Sequence, residues 1–385
     1  MLNSIKITYL DRCIELAVLV LMAIGTVFVF SAGANVSNTW NLHNFYSFTT
    51  LKQLLFFPLA VTVMYITSRI DYHRFGFCKF GLAGSLTPYL LALSIALLIL
   101  VLIPGIGIER NFSRRWLDLA PGGGYLSFQP SELAKWALVF FLAAFADKFS
   151  NTMKLYWKRF VPPSLIAGLI AALIVTQDFG TAAFITLLAF LMLLIAGAHW
   201  WHFLTPLPVV LPAFYFAVVT SPTRINRIKD FFNPDVMSYQ ANQSLIAISS
   251  GGIWGKGLGR GISKYGHLPE DTTDFIFAII AEELGFVGAV FVVAVFVALI
   301  VLTILLVLRC NDRFGRMLSA GIMLTIAAQA AINIGVVTVV LPTKGIPLPF
   351  ISAGGTSMLL SAAAAGVLLN IARQTSRTSV ETEEI

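Results

Sequence analysis

Apolar runs long enough to cross a bilayer recur along the whole chain. A hydrocarbon core about 30 Å thick needs about 20 apolar residues of helix. Ten segments approach or meet that length, near 11–33, 51–68, 82–104, 128–146, 161–176, 181–197, 200–220, 284–308, 316–341 and 349–371. The pattern predicts an all-α integral membrane protein, a polytopic bundle of about ten transmembrane helices forming one domain over 1–385. Short tails at 1–10 and 372–385 flank the spans, and a large polar loop at about 221–274 interrupts them. The first run is followed directly by others, so it reads as a membrane helix and not as a cleaved signal.

Composition agrees. The chain is 57% hydrophobic and 12% charged, against about 25% charged in soluble domains. Lys and Arg in the short loops set the orientation. Arg69, Arg74 and Lys79 share one side with Lys148, Lys154, Lys158 and Arg159, and with Arg309, Arg313 and Arg316. Lys6, Arg12, Arg373 and Arg377 fall on that side too, which places both termini in the cytoplasm. The net charge of +7 is then mostly a topology signal. No basic stripe interleaved with aromatics points to nucleic acid. Cys13, Cys78 and Cys310 are widely separated, near expected cytoplasmic ends, without metal-ligand spacing.

The opposite face is also basic, which the charge rule does not require. Arg110, Arg114, Arg115, Arg224, Arg227, Lys229, Lys256, Arg260, Lys264 and Lys344 map there. Long translocated loops can ignore the rule; alternatively, these cations bind an anionic ligand. The stretch TRINRIKDFFNPD suits the membrane interface. GKGLGRG, at 255–261, lacks the G-x-x-x-x-G-K-[ST] pattern of a nucleotide loop, yet its backbone amides, flanked by Lys256 and Arg260, can cradle a diphosphate.

Five carboxylates crowd into GHLPEDTTDFIFAIIAEELG: Glu270, Asp271, Asp274, Glu282 and Glu283, in a chain with 19 acids. Carboxylates near hydrocarbon are costly and point to function. One helix over 275–308 would be about 51 Å long, too long for a single crossing. The true span is therefore expected from about Leu284, with Gly285 near its start, a half-buried segment before it and Asp274 at the outer rim. In QPSELAK, Pro130 suits a first helical turn, and Glu132 and Lys135 share one helix face. They form either a pair that stabilises the bundle or part of a site. Asp178 is a helix cap or a site residue. Prolines and glycines in LPTKGIPLPFISAGGTS predict broken backbone lining a cavity, with Lys344 facing outward.

These stretches resemble a known family. QPSELAK (129–135), DFGTA (178–182), QSLIAISSGG (243–252), GKGLGRG (255–261), LPEDTTDFIFAIIAEELG (268–285) and the LPTKGIPLPFIS segment with its following Gly-Gly (341–355) match the order and spacing of the SEDS family (shape, elongation, division, sporulation). PTKG before PLPF, and GLGRGISKYGHLPE, favour its division branch over its elongation branch.

The resemblance implies a ten-span peptidoglycan glycosyltransferase that polymerises lipid II on the outer face of the cytoplasmic membrane, at the division septum. It implies a class B penicillin-binding protein and other divisome proteins as partners. It places the catalytic acid at Asp274, in Thr273-Asp274-Phe275-Ile276. Arg115, Gln129, Glu132, Lys135, Lys344 and Ser352 would belong to the cavity. Three positions depart from the family pattern: Thr272 stands for the usual His, Gln177 for Pro, and Ala353 for Tyr.

The chemistry asks for one base, because a sugar hydroxyl displaces a lipid diphosphate with inversion. The leaving anion needs cations or oriented amides. Arg115, Lys344, Lys256 and Arg260 are candidates for that task. A divalent cation, magnesium or manganese, can share the diphosphate, but no ligand cluster of diagnostic spacing is present. A lipid II flippase would also use a polar cavity and basic residues, and a scaffold that only recruits a synthase would need neither.

Overall fold

The computed structural model describes residues 9–33, 48–110, 113–118, 127–232 and 237–383. Its helices are α1 (Leu10–Ala32), α2 (Phe48–Arg69), α3 (Phe77–Gly84), α4 (Thr87–Leu102), α5 (Pro130–Lys148), α6 (Val161–Val175) and α7 (Phe179–Ile195). Then follow α8 (Leu207–Val219), α9 (Pro222–Phe232), α10 (Tyr239–Gly251), α11 (Ile276–Arg309), α12 (Arg313–Val337) and α13 (Gly355–Glu383). Among the described residues, five helices are long and apolar enough to cross a membrane, or six when α3 and α4, bent by 49°, count as one. Three shorter apolar helices, Gln53–Arg69, Phe179–Ile195 and Leu207–Val219, accompany them.

Helix α5 sits at the centre of the bundle. It is buried nearly all round from Pro130 to Ala146, as expected of a helix without a polar face. It packs on α4, α7 and α12, while α13 lies along α2, and α11 lies between α1, α10 and α12. Helix α8 differs: none of its residues is buried, and it rests chiefly on α9 and the turn at Trp200–Leu204.

Four features depart from the sequence expectations, the first being that the loop expected at about 221–274 holds the helices α9 and α10. The stretch between the spans expected near 82–104 and 128–146, for which no regular structure was expected, holds a three-stranded antiparallel sheet of β1 (Gly107–Arg110), β2 (Ser113–Asp118) and β3 (Ser127–Phe128). Its strands are too short, and too rich in Arg and Ser, to show an alternating apolar signal. The segment 372–385, expected as a tail, continues α13 as far as Glu383. The segment before Leu284 is not half-buried: Ile276 to Glu283 are all buried and helical. Residues 1–8 of the other expected tail lie outside the described residues.

The expected break in α11 is present at Gly285, with φ 68° and ψ −166°. A side chain there would be strained, and its Cβ would lie 2.3 Å from the amide nitrogen of Gly255. The break leaves backbone groups without helical partners, and the glycine-rich loop supplies them. Lys256 N donates to Glu282 O at 3.1 Å, and Gly257 N to Glu283 O at 2.9 Å. Phe286 N and Val287 N donate to the carbonyls of Gly252 and Ile253 at 2.9 and 3.2 Å.

The same loop holds the two buried carboxylates. Glu282 accepts from Lys256 Nζ at 2.7 Å, Ile262 N at 2.9 Å and Ser263 N at 3.1 Å. Glu283 accepts from Lys264 Nζ at 2.8 Å, Gly259 N at 3.0 Å and Ser31 Oγ at 2.8 Å. Serine 31 belongs to α1, so this clasp ties three parts of the chain together.

Removing one partner of a fully buried ion pair strands the other charge, at about 3–5 kcal/mol. Lys264 is 1% exposed and its partner Glu283 0%, whereas Lys256 is 29% exposed. Lys264→Met is therefore expected to lower the thermal unfolding temperature in detergent far more than Lys256→Met. Equal losses would mean that solvent, and not burial, governs the clasp.

Candidate active site

A cavity of about 620 Å³ opens where at least six parts of the chain meet. Strand β2 supplies Arg115, and the start of α5 supplies Gln129, Glu132 and Lys135. The start of α7 gives Asp178 and Thr181, and α9 gives Arg227. The loop before α11 contributes Glu270, Thr273 and Asp274, and the loop between α12 and α13 contributes Lys344 and Gly345.

Asp274 is half-buried on this wall. Burial pushes its carboxyl up to about 7, helped by Glu270 and Asp178 and opposed by Arg115 and Arg227. Gly345 is adjacent: a Cβ there would lie 2.7 Å from Asp274 Oδ2. Any side chain at 345 would therefore displace the carboxylate. Asp271 does not line the cavity, and burial pushes it up to about 6, with Glu270 adding to the effect.

Cations face Asp274 across the space. Arg115 is committed in part, with Nη1 3.2 Å from Asp178 Oδ2 and Nε donating to Gln177 O at 2.9 Å. Asp178 in turn caps α7, accepting from Thr181 N at 3.1 Å. The cap and the cavity wall are thus the same residue. Lys344 Nζ lies 4.8 Å from the centroid of Phe179, a cation–π contact. Burial lowers its pKa, Asp178 opposes this, and Arg227 adds to it.

Deeper in the wall, Lys135 Nζ binds Glu132 at 2.8 Å and Gln329 Oε1 at 3.0 Å, with Lys135 only 1% exposed. Gln129 Nε2 donates to Ser131 Oγ at 3.1 Å. The two cavity loops are fastened to each other. Ser352 Oγ donates to Thr273 O at 2.6 Å, and Ala353 N to Thr272 O at 2.8 Å.

Six of the nine expected site residues thus share one cavity: Arg115, Gln129, Glu132, Lys135, Asp274 and Lys344. Three do not line it. Lys256 is turned to Glu282, and Arg260 lies in the glycine loop outside the cavity. Of the amides expected to cradle a diphosphate there, Gly259 N and Gly261 N already bind the Glu283 carboxylate, and Lys256 N and Gly257 N bind the carbonyls of Glu282 and Glu283. Ser352 is buried and pins the loops together.

Several cavity residues escaped the sequence reading. Gln329 lies in an apolar helix, where an isolated amide is a usable signal. Arg227 was visible only as one cation among many. Gly345 carries no signal beyond its motif. Of the three departures from the family pattern, Gln177 docks β2 by accepting from Arg114 N at 2.8 Å. Thr272 and Ala353 meet through their backbones.

Among the described residues, no group of three or more His, Cys, Asp or Glu side chains gathers as a metal site. Glu132 is bound to Lys135, and Asp178 to Arg115 and Thr181. The side chains present do not form a protein-only site for a divalent cation.

Comparison with known proteins gives these features a context. The family model described as cell cycle protein, covering FtsW, RodA and SpoVE, matches residues 11–377. The "Probable peptidoglycan glycosyltransferase FtsW" of Coxiella burnetii is 37% identical over 373 residues, covering 95% of this chain and 96% of that protein. The stage V sporulation protein E of Bacillus subtilis is 37% identical over 375 residues, covering 96% and 98%. Among solved structures, a chain from a peptidoglycan synthase complex that coordinates polymerization and crosslinking superposes with a TM-score of 0.71 at 25% identity, covering 94% of this chain and 97% of that one. The rod shape determining protein RodA of Thermus thermophilus superposes with a TM-score of 0.65 at 25% identity, covering 94% and 96%. The chain belongs to the FtsW, RodA and SpoVE family of cell cycle membrane proteins.

Proposed function

We propose that this protein is a peptidoglycan glycosyltransferase that polymerises lipid II, with Asp274 as the base. The observation that carries the reading is the single cavity in which Asp274 faces Arg115, Arg227 and Lys344. The several relatives named FtsW, at 36–37% identity, support a division role at the septum. The topology that goes with it has ten spans, both termini in the cytoplasm, and the cavity toward the outer face.

The reaction joins two lipid-linked sugars. A hydroxyl of one sugar attacks the anomeric carbon of the other while Asp274 accepts the hydroxyl proton. The new C–O bond forms as the bond to the diphosphate breaks, and the electron pair leaves with the diphosphate. Lys344 and Arg227 take up that charge, and Arg115 adds to the field from its place beside Asp178. A base whose pKa lies near the working pH is well suited to this transfer. No step here depends on a divalent cation.

Asp274→Asn is expected to abolish polymerisation of labelled lipid II by the purified protein while leaving it folded. Near-normal glycan chains would remove Asp274 as the base. A flippase would lose transport in a vesicle assay instead and would never have made glycan. Because the base acts unprotonated, the wild-type rate is expected to rise with pH to a plateau, with a midpoint near 7. One unit below that midpoint about a tenth of the carboxyl is ionised. The groups that set this midpoint are Glu270 and Asp178 against Arg115 and Arg227. A flat profile across the neutral range would contradict the assignment.

Lys344→Met is expected to slow turnover, or raise the half-saturating lipid II concentration, by about tenfold or more, since a charge-assisted contact to a diphosphate is lost. Unchanged kinetics at limiting lipid II would exclude Lys344 from the anion site.

A class B penicillin-binding protein is the partner that fits, by analogy with the synthase complex from which the similar chain comes. Residues 252–264 rest on the break in α11 and its two carboxylates and lead on to Asp274 ten residues later, so a partner seated on them can shift the population of the competent arrangement. Polymerisation by the chain alone should be slower than by the complex. Equal rates at saturating lipid II, with the complex shown to form, would make the partner a bystander.

A further inference from the structure

We propose that Asn333 is the positioning residue that sets the place of the Asp274 peptide against the Lys344–Ile346 segment. This rests on the reading of Asp274 as the base. Asn333 lies in α12, one turn beyond Gln329, and is 1% exposed. A buried amide in an apolar helix is destabilising unless it is hydrogen-bonded. Its two amide hydrogens go to two different stretches of chain. Asn333 Nδ2 donates to the carbonyl of Asp274 at 2.8 Å and to the carbonyl of Ile346 at 2.8 Å. Both neighbours are carbonyl oxygens, so the nitrogen and not the oxygen of the amide must face them.

The consequence is geometric. Asp274 and Gly345 already approach as closely as a missing Cβ permits. The pins from Ser352 and Ala353 hold the preceding residues, Thr273 and Thr272, and not Asp274 itself. Gln329 makes a parallel contact, donating to Pro347 O at 2.9 Å, so α12 presents a short ladder of amides to the far loop. Asn333 is the rung that also reaches the base. Its side chain touches no reacting atom and does not line the cavity.

The test compares Asn333→Ala, Asn333→Asp and Asp274→Asn in the purified protein, with its partner where the wild type needs one, using labelled lipid II. Asn333→Ala is expected to lower the turnover number about 100-fold, as for a base displaced by about 1 Å, with the half-saturating lipid II concentration changed less than about twofold. Asn333→Asp is nearly isosteric, lacks both donors and adds a carboxylate behind Asp274. It is expected to move the ascending limb of the pH profile to higher pH. Glu270, Asp178, Arg115 and Arg227, which face Asp274, and Lys344 are unchanged in that variant.

A residue that serves only the fold would lower the yield of folded protein and leave the turnover number of the folded fraction unchanged. Normal turnover and an unmoved limb, with Asp274→Asn inactive, would overturn the role of Asn333 and leave the base assignment standing. Normal polymerisation by Asp274→Asn would overturn the base, and this inference with it. Loss of folded protein in both Asn333 variants would mark the residue as part of the fold only, and would also overturn the inference.

Discussion

A helix broken among apolar neighbours leaves amides and carbonyls that no water can satisfy. At Gly285 this problem coincides with a second one, two adjacent carboxylates, Glu282 and Glu283, with no exposed surface. One stretch of chain answers both. Its backbone closes the break, while its amides and two lysines take the carboxylates. The glycines matter because Gly255 and Gly285 approach closer than any side chain would allow. The same stretch of chain leads on to Asp274, ten residues after Lys264.

The clasp also changes how the basic face is understood. Arg114 pairs with Glu109, Arg115 with Asp178, Lys256 with Glu282 and Lys264 with Glu283. Arg224 bonds to the carbonyls of Ala217, Val175 and Thr176. Much of what looked like a surplus of anion-binding charge is spent on holding the chain in shape. Of the cations without a salt bridge among the described residues, Lys229 and Arg260 lie outside the cavity, while Arg227 and Lys344 face it. An anion entering there meets cations whose fields are not already cancelled, in a wall that is half apolar, where electrostatic effects are larger than in water.

The sequence showed the helices well, because hydropathy is local and needs no knowledge of contacts. The ten expected spans overlap helices, of which five or six among the described residues are long and apolar enough to cross a membrane, and the length of the 275–308 run alone revealed a break near Gly285. What it could not show was which partners meet across the chain. GKGLGRG displayed free amides and cations, and nothing local said that their anions lie some twenty residues further on. Ser352 sat in a motif that lines a cavity, yet its hydroxyl is turned to backbone. Asp178 read as either a cap or a site residue, and the fold makes it both. The short strands β1 to β3 were hidden by their polarity, and the cavity wall at Arg115 could be located only once they were known.

The order in which the clasp residues are made bears on how the protein enters its membrane. With this loop on the outer side, as proposed, Lys256 and Lys264 must cross a bilayer whose interior side is negative. Each charge moved outward against that potential is opposed by about 2.3 kcal/mol per 100 mV. Glu282 and Glu283 follow a short distance behind and are drawn outward by the same field. From Lys256 to Glu283 the segment carries three Lys or Arg against five Asp or Glu, so its acids outweigh its bases and the field as a whole assists its crossing. The acids that the finished fold pairs or buries would then serve the protein first during its insertion, before any substrate reaches the cavity.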